Sequence, residues 1–226
     1  MALSETKTKF SLFGGAIALD LPQTWQSAAD LTAVPDNQEC FVLRAGAGDA
    51  GGPRSPLSFV VEVLERAEVA GLDRMGCAAF FLRDLAEHDG ASPRDVEAAV
   101  AGGSRAVDLA REMPRLGLAD GGARAAGAEC WRAQGVARVA QRALPRTGGG
   151  GPQAAALEPA DDVLLLVAVL RLPSVATDLL VTLNAPLRIA GVDATGGDEG
   201  AAVREAEAAL AGALASLEIA DFGLFG

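Results

Sequence analysis

The stretch "DVLLLVAVLRLPSVATDLLVTLNAPL", residues 162–187, carries the two strongest strand signals in the chain. Residues 162–172 and 178–187 are rich in Val and Leu at both odd and even positions, which is typical of strands covered on both faces. The short "PSVAT" between them has the length of a hairpin connection, so the two strands are predicted to pair antiparallel. A sheet built around this hairpin needs helices on both sides.

Further strands are predicted along the chain. The runs "ECFVLRA" (39–45) and "LSFVVEVLERAEV" (57–69) have strand character, and "AVDLARE" (106–112) is a weaker strand candidate. The segment "ECWRAQGVARVA" (129–140) is predicted to be a hairpin or a bulged strand that turns near Gly135. The sequence therefore predicts a sheet of several consecutive strands.

Two helices are predicted with defined ends. Residues 92–103 begin with Ser92 as N-cap and Pro93 at the first helical position, and they end in glycines. A short helical turn at 27–30 is capped by Ser27 in the same way. Residues 198–218 place an apolar stripe on one face at three- and four-residue steps. The stripe consists of Val203, Ala206, Leu210, Leu214 and Leu217.

These elements predict an α+β fold, a three-layer α/β/α sandwich with a central, mainly antiparallel sheet. A chain of 226 residues, half of them apolar, is long enough to bury a substantial core. We interpret residues 1–226 as a single domain with Gly/Ala-rich loop insertions near 45–56, 113–129 and 145–160.

The formal net charge of −11 excludes a broad phosphate-binding surface. Binding to nucleic acid or to an anionic membrane needs clustered Lys and Arg, and the 19 basic residues here are scattered among acidic ones. An acidic protein is instead attracted to basic partners, such as a Lys/Arg-rich patch on another protein.

The cysteines, the histidine and the apolar pattern limit which other classes of protein this chain can belong to. Cys40, Cys77 and Cys130 are widely spaced without a C-x-x-C pair, which favours reduced thiols. His88 is the single histidine, and no metal-ligand spacing recurs, so no metal site is predicted. No apolar stretch reaches the roughly 20 residues of a spanning helix. The N-terminal "MALSETKTKFSLFGG" lacks a signal-peptide core. A soluble intracellular protein is expected.

Two motifs suggest chemistry that their context does not support. "GAGDAG" (46–51) matches G-x-G-x-x-G, but "GPRSP" follows it where a dinucleotide site requires a helix. A low-complexity loop explains it better, and no cofactor is predicted. His88 could activate a cysteine as a nucleophile, but "AEHDG" is a polar stretch that resembles a strand-to-helix turn.

Carboxylates in strand contexts are the more informative candidates. Glu62 and Glu65 lie inside an otherwise apolar strand, where strict alternation places them on opposite faces unless the strand ends or bulges. Glu62 either pairs with a nearby arginine or belongs to an acidic interaction surface, and the strand pattern leaves both open. "PDNQE" (35–39) has strong turn chemistry, which taken alone favours a plain solvated turn over a surface that a partner recognises.

Several segments together resemble the Ran guanine-nucleotide release factor family. The specific blocks are "LFGGAIALDLP" (12–22) with "VPDNQE" (34–39), and "LRLPSVATDLLVTLNAPL" (170–187). "LSFVVEVLE" (57–65) and the closing "FGLF" (222–225) follow in the same order. The resemblance covers the framework but not the Gly/Ala-rich insertions.

The resemblance implies a protein that binds the GTPase Ran, promotes release of its guanine nucleotide and supports nuclear protein import. It implies no bond-making chemistry, and a fold shared with an extrinsic subunit of photosystem II. A monomer of the nucleus and cytoplasm is expected, with the Ran exchange factor as a further candidate partner. By position, the implied Ran-facing patch comprises Asp36, Asn37, Gln38, Glu39, Glu62 and Glu65.

We hypothesise that Glu62 and Glu65 compete for the phosphate-binding lysine of the GTPase or repel its phosphates, with the Asp36–Glu39 turn docking beside them. Two alternatives come from other classes. One is an acidic structural or scaffold protein that shares the photosystem-subunit fold without Ran activity. The other is a cysteine-based enzyme that uses His88.

Overall fold

A computed structural model describes residues 6–43, 57–67, 76–116, 127–139 and 161–225. The predicted insertions near 45–56 and 145–160 lie outside these residues, as does most of the one near 113–129. The strands in the described residues are β1 (Lys7–Leu12), β2 (Ile17–Pro22), β3 (Trp25–Ser27), β4 (Gln38–Leu43), β5 (Ser58–Glu65), β6 (Arg105–Ala106), β7 (Glu129–Val139), β8 (Asp161–Leu172), β9 (Thr177–Ile189), β10 (Val192–Asp193) and β11 (Glu218–Ile219). The helices are α1 (Cys77–His88), α2 (Pro93–Val100), α3 (Leu109–Glu112) and α4 (Glu199–Ser216).

The strands form two antiparallel sheets. The large sheet has the order β3-β4-β5-β9-β8-β7-β6, and β10 pairs with the end of β9. The small sheet has the order β1-β2-β11. The central hairpin of the large sheet is β8–β9, as predicted, and it turns through a short 3-10 segment at Pro173–Val175. The predicted α+β class with a large antiparallel sheet is confirmed.

Cover on both faces of the large sheet explains why its central strands carry apolar residues at both odd and even positions. Helices α1 and α2 pack on one face, over Val167, Val169 and Leu180. Helix α4 and the small sheet pack on the other face, over Leu166 and Leu183. The predicted stripe of α4 lies against this second core, with Ala206, Leu210, Leu214 and Leu217 buried and Val203 partly buried. Burial of these side chains is the main stabilising term of the sandwich.

Strand β7 is one continuous strand rather than the predicted hairpin or bulged strand. Its register with β8 runs unbroken from Glu129 to Val139. Gly135 lies where α2 presses on the sheet, and a Cβ at this position would stand 1.9 Å from the carbonyl oxygen of Ala99. The glycine therefore serves close helix-sheet packing instead of a turn, a role that an isolated glycine in a strand pattern also indicates.

Other local predictions have mixed outcomes. Ser92 caps α2 by accepting a hydrogen bond from the Asp95 N–H at 3.3 Å, and Ser27 caps its short turn in the same way. The predicted strand at 106–112 is wrong beyond Ala106, because Asp108 caps the short helix α3 there. The stretch around His88 is not a strand-to-helix turn, because helix α1 ends at His88 and residues 89–90 form a turn before α2.

Three structural facts bear on the remaining sequence predictions. Met113 and Leu116 are buried in the core, so the framework continues into the segment predicted as an insertion near 113–129. None of the helices described is long and apolar enough to cross a membrane. Within the described ranges, no group of three or more His, Cys, Asp or Glu side chains is placed to hold a metal ion.

Candidate functional site

The "PDNQE" segment forms a tight turn that leads into β4. The Gln38 N–H donates to the Pro35 carbonyl oxygen at 2.9 Å, which leaves Asp36 and Asn37 exposed at the centre of the turn. The Val63 N–H donates to the Asn37 carbonyl oxygen at 2.9 Å, so the turn is fixed to β5. The predicted turn is present, and its position beside β5 is set by backbone pairing.

Glu62 is the meeting point of the turn and the strand. In the register of β4 and β5 it lies directly opposite Gln38. Its Oε1 accepts hydrogen bonds from Asn37 Nδ2 at 3.2 Å and from Gln38 Nε2 at 2.9 Å. We call Asn37, Gln38 and Glu62 the Glu62 cluster. Among the described residues, no Lys or Arg pairs with Glu62, and the partners of its carboxylate are two neutral amides.

This arrangement presents a full negative charge in a fixed orientation. The two amides hold one carboxylate oxygen, and Oε2 accepts no hydrogen bond from any residue that the structure describes. Neutral amides orient the carboxylate without cancelling its charge, which preserves its attraction for a cation from outside. The Glu62 cluster is therefore suited to bind a Lys or Arg side chain of a partner.

Glu39 has a different role, because it projects from the opposite face of β4. Its Oε1 accepts a hydrogen bond from the Phe13 N–H at 2.8 Å. Phe13 begins the turn between β1 and β2, where Phe13, Gly14 and Gly15 have φ values of 50°, 65° and 100°. Left-handed backbone is unfavourable for Phe and natural for glycine, so Glu39 and the two glycines together hold this turn.

Glu65 and Glu62 lie on opposite faces of β5, as strict alternation predicts. The register of β5 with β9 is unbroken from Ser58 opposite Asn184 to Glu65 opposite Thr177. Glu65 is the last residue of the strand and is exposed. The structure thus brings together Asn37, Gln38 and Glu62, places Asp36 beside them in the turn, and separates Glu39 and Glu65 from them.

A second carboxylate, which sequence reasoning missed, has both of its oxygens occupied by hydrogen bonds within the protein. Asp178 is completely buried and accepts from Arg171 Nε at 2.9 Å and from the Ala67 N–H at 3.0 Å. Arg171 Nη2 also donates to the Ala67 carbonyl oxygen at 2.7 Å. The signal in the sequence was a pair of opposite charges on either side of the "LPSVAT" turn, which the hairpin register places opposite each other.

The thiols lack the features of an activated nucleophile. Burial raises the pKa of Cys77 to about 11 and the pKa of Cys130 to about 12. The pKa of Cys40 is raised by burial and then by the nearby charges of Glu39 and Glu62. A raised pKa disfavours the thiolate that nucleophilic catalysis needs. The predicted alternative of a cysteine-based enzyme gains no support from this geometry.

Comparison with known proteins places this site in context. The family model of the Ran-interacting Mog1 protein matches residues 10–186. The human (Homo sapiens) protein named Ran guanine nucleotide release factor is 32% identical over 176 residues, which is 77% of this chain and 74% of the relative. The Schizosaccharomyces pombe protein named nuclear import protein mog1 is 27% identical, over 78% of this chain and 75% of the relative.

Solved structures show the same fold. The structure of an E65A mutant of protein Mog1 aligns over 98% of this chain and 100% of the mutant's chain, with a TM-score of 0.59 and 18% identity. The Saccharomyces cerevisiae Ran-binding protein Mog1p aligns with 99% of this chain and all of its own, with a TM-score of 0.56 and 20% identity. With the match of the family model and the 32% identical relative, this chain belongs to the Ran-interacting Mog1 protein family.

Proposed function

We propose that this protein binds the GTPase Ran, promotes release of its guanine nucleotide and thereby supports nuclear protein import. The observation that carries the proposal is the 32% identity, over 74% of its length, to a human protein named for this activity. The exposed Glu62 cluster supplies a surface with the chemistry that such binding needs, because a nucleotide-binding GTPase holds phosphates with a lysine.

The proposed contact surface is the Glu62 cluster with Asp36 beside it. Glu62 offers Oε2 to a basic side chain of Ran, while Asn37 and Gln38 keep the carboxylate in place. Asp36 is exposed in the turn and adds a second negative charge. An acidic surface on a protein of net charge −11 also increases the rate of encounter with a basic patch.

The remaining two glutamates are assigned different roles. Glu65 ends β5 on the other face from Glu62, so we place it at the rim of the contact, where a charge affects association more than dissociation. Glu39 supports the surface indirectly, since its carboxylate is bonded to the Phe13 N–H of the β1–β2 turn. Together these assignments cover the six residues of the predicted patch.

Nucleotide release follows from differential binding. A factor that binds the loaded and the empty GTPase equally well shifts nothing, so this protein must bind the empty form more tightly. The phosphate-binding lysine of the GTPase can pair with a carboxylate of this protein only after the phosphate has left. While the phosphate is still bound, the same carboxylate repels it. Glu62 provides such a carboxylate, which links the geometry of the cluster to the proposed activity.

On this proposal the protein acts by binding and not by bond-making chemistry, and it needs no cofactor or metal. We expect a monomer that shuttles with its partner between nucleus and cytoplasm, and the Ran exchange factor is a further candidate partner. Each of these expectations extends the Ran-binding proposal.

The test is the rate at which purified Ran releases a fluorescent guanine nucleotide, with and without this protein in excess. Acceleration that rises with the concentration of this protein and saturates is the expected result. A folded protein that neither accelerates release nor forms a complex with Ran on a sizing column would overturn the proposal. That outcome would favour the acidic scaffold alternative, in which the fold is shared without the activity.

A further inference from the structure

A basic cleft lies at the far edge of the large sheet from the Glu62 cluster. It is formed by the segment 102–105, which follows α2, and by the facing part of β7, and it has a volume of about 390 Å³. Three strand steps separate β7 from β5 in the sheet, a distance of roughly 14 Å. The cleft is therefore separate from the surface proposed to bind Ran.

Two arginines face each other in this cleft. Arg105 of β6 and Arg132 of β7 are directly opposite in the antiparallel register, so their side chains share one face. Like charges in such a pair repel each other unless an anion lies between or beside them. In this protein of net charge −11, such a pairing is unusual, and the question is whether the chain itself neutralises it.

Arg105 is neutralised internally. Its Nη2 and Nη1 donate to the two carboxylate oxygens of Glu112 at 3.1 and 3.4 Å, and Arg111 Nη2 reaches the same carboxylate at 3.3 Å. These contacts hold the pKa of Glu112 at about 2, chiefly through the hydrogen bond from Arg105. Glu112 is thus already shared by two guanidinium groups.

Arg132 is not neutralised to the same degree. Its side chain is only 11% exposed, and its Nη1 lies 4.0 Å from Glu112 Oε2, which is an ion-pair distance but too long for a hydrogen bond. No residue that the structure describes accepts a hydrogen bond from its guanidinium. Burial lowers the pKa of Arg132, repulsion from Arg105 lowers it further, and Glu112 and Glu207 offset these effects only in part.

The side chain of Arg132 is only 11% exposed, but none of its nitrogens is among the buried atoms that lack a partner, so they can be reached from the cleft. Arg132 carries five N–H donors in a planar arrangement that matches two oxygens of one oxyanion. Ser104 also lines the cleft, and its Oγ accepts from the Ala79 N–H at 2.8 Å, which leaves its hydroxyl proton available for donation. These donors are therefore accessible to an acceptor that enters the cleft.

We propose that this cleft binds the phosphate group of a small molecule, with Arg132 as the bidentate ligand and Arg105 and Ser104 beside it. Phosphate fits because two of its oxygens match the planar donors of Arg132, and Arg105 and Ser104 lie beside them in the cleft. The cleft volume lies at the lower end of small-molecule sites, so there is room for a compact organic group as well. The ligand class is therefore a phosphate monoester or free phosphate.

The test is a titration of ¹⁵N-labelled full-length protein, at low ionic strength, with inorganic phosphate and separately with a nucleoside monophosphate. Saturable shifts are expected at the amides of Gly102, Gly103 and Gln134, with the fluorescence of Trp131 as a second readout. The variant Arg132→Gln should weaken binding about tenfold or more. Arg105→Gln, at a more exposed side chain, provides a second variant if Arg132→Gln fails to fold.

The matched control is Arg138→Gln, which removes an exposed arginine of the same strand that pairs with Asp162 outside the cleft. This control should bind phosphate as the unmodified protein does. Binding of the monophosphate more tightly than inorganic phosphate would identify an ester as the ligand, and equal binding would identify free phosphate. Equal loss in Arg138→Gln, shifts spread over the basic residues, or no saturable shift with either probe would overturn the proposal.

Discussion

Glu62 and Asp178 are carboxylates on neighbouring strands and on the same face of the large sheet. They differ in burial, and this difference separates a structural role from a binding role. Glu62 of β5 lies opposite Leu180 of β9, and Asp178 lies two residues before Leu180 on the same face. Asp178 is fully buried, and a cation and a backbone amide occupy its oxygens. Glu62 is half-buried and is held by two neutral amides, and its other oxygen accepts no hydrogen bond from the part of the chain that the structure describes.

The difference lies in what neutralises the charge. The bonds of Asp178 and Arg171 tie β8, β9 and Ala67, two residues after the end of β5, together, so the charge of Asp178 stabilises the fold and is hidden from any partner. The bonds of Glu62 fix its orientation and leave its charge available. A carboxylate in a strand is thus assigned a binding role when its partners are neutral and at least one oxygen is free.

The largest expected effect is on stability, from Asp178→Ala. Removing the carboxylate leaves the guanidinium of Arg171 mostly buried and unpaired, which should lower the free energy of unfolding by about 3–5 kcal/mol. Urea denaturation measures the change. Asp84→Ala, at an exposed residue of α1, should shift stability by less than about 0.5 kcal/mol. If Asp178→Ala lowers the free energy of unfolding as little as Asp84→Ala does, the structural role assigned to Asp178 is wrong.

The next effect is on binding, from Glu62→Lys. Reversing the charge at the proposed contact should weaken Ran affinity about a hundredfold or more, because a hydrogen-bonded charge at a contact contributes several kcal/mol. Stability should change by no more than about 1 kcal/mol, since the residue is half-buried and paired only to amides. Calorimetric titration with Ran and urea denaturation measure the two quantities.

Two matched variants sharpen that result. Glu87→Lys makes the same change in net charge at an exposed residue of α1 and should leave Ran affinity close to that of the unmodified protein. Glu65→Lys should lie between the two, with a slower association rate as its main effect. Equal loss in all three would mean that net charge, and not the Glu62 cluster, determines binding.

A smaller effect tests whether Glu39 stabilises the surface from within or contacts Ran directly. Glu39→Ala removes the acceptor for the Phe13 N–H and should cost about 1 kcal/mol of stability, with an accompanying loss of Ran affinity. Glu39→Gln keeps an acceptor and removes the charge, so it should leave Ran affinity nearly unchanged. If Glu39→Gln binds Ran as weakly as Glu39→Ala, the charge of Glu39 contacts Ran directly.

A separate effect concerns pH and the carboxylate of Glu112, which is paired with arginines. Its pKa in the folded protein is lowered from 4.5 to about 2, so the unfolded chain takes up this proton first as the pH falls. The stabilisation from Glu112 is complete above pH 4.5 and is lost towards pH 2. Glu112→Gln should flatten the decline of stability in this interval, and an unchanged slope would contradict the assignment.

Local sequence patterns predicted the elements whose signal is contained within one segment. The β8–β9 hairpin, the stripe of α4 and the Ser92 cap all follow from short-range periodicity or spacing. Helix α1 was missed although Cys77, Ala78, Phe81, Leu82 and Ala86 recur at helical spacing, because the apolar run near its start also suggests a strand. Gly135 was misread because its neighbour, Ala99, is distant in sequence.

The candidate site was predicted in composition but not in geometry. The family resemblance implied the six residues by position, and that set stays a prediction, whereas alternation correctly separated Glu62 from Glu65. It could not indicate that Gln38 lies opposite Glu62, because the register between β4 and β5 depends on the turn and the core. For the same reason the bond from Glu39 to the Phe13 N–H, across 26 residues, was beyond local reasoning.

The most direct test of the central claim is the footprint of Ran on this protein. Amide shifts of the ¹⁵N-labelled protein are recorded as unlabelled Ran is added. We expect the largest changes at 36–38 and 60–64, around the Glu62 cluster, and their loss in Glu62→Lys. A footprint confined to α4 and the β1–β2 turn, with Glu62→Lys binding normally, would contradict the claim that Ran binds this face.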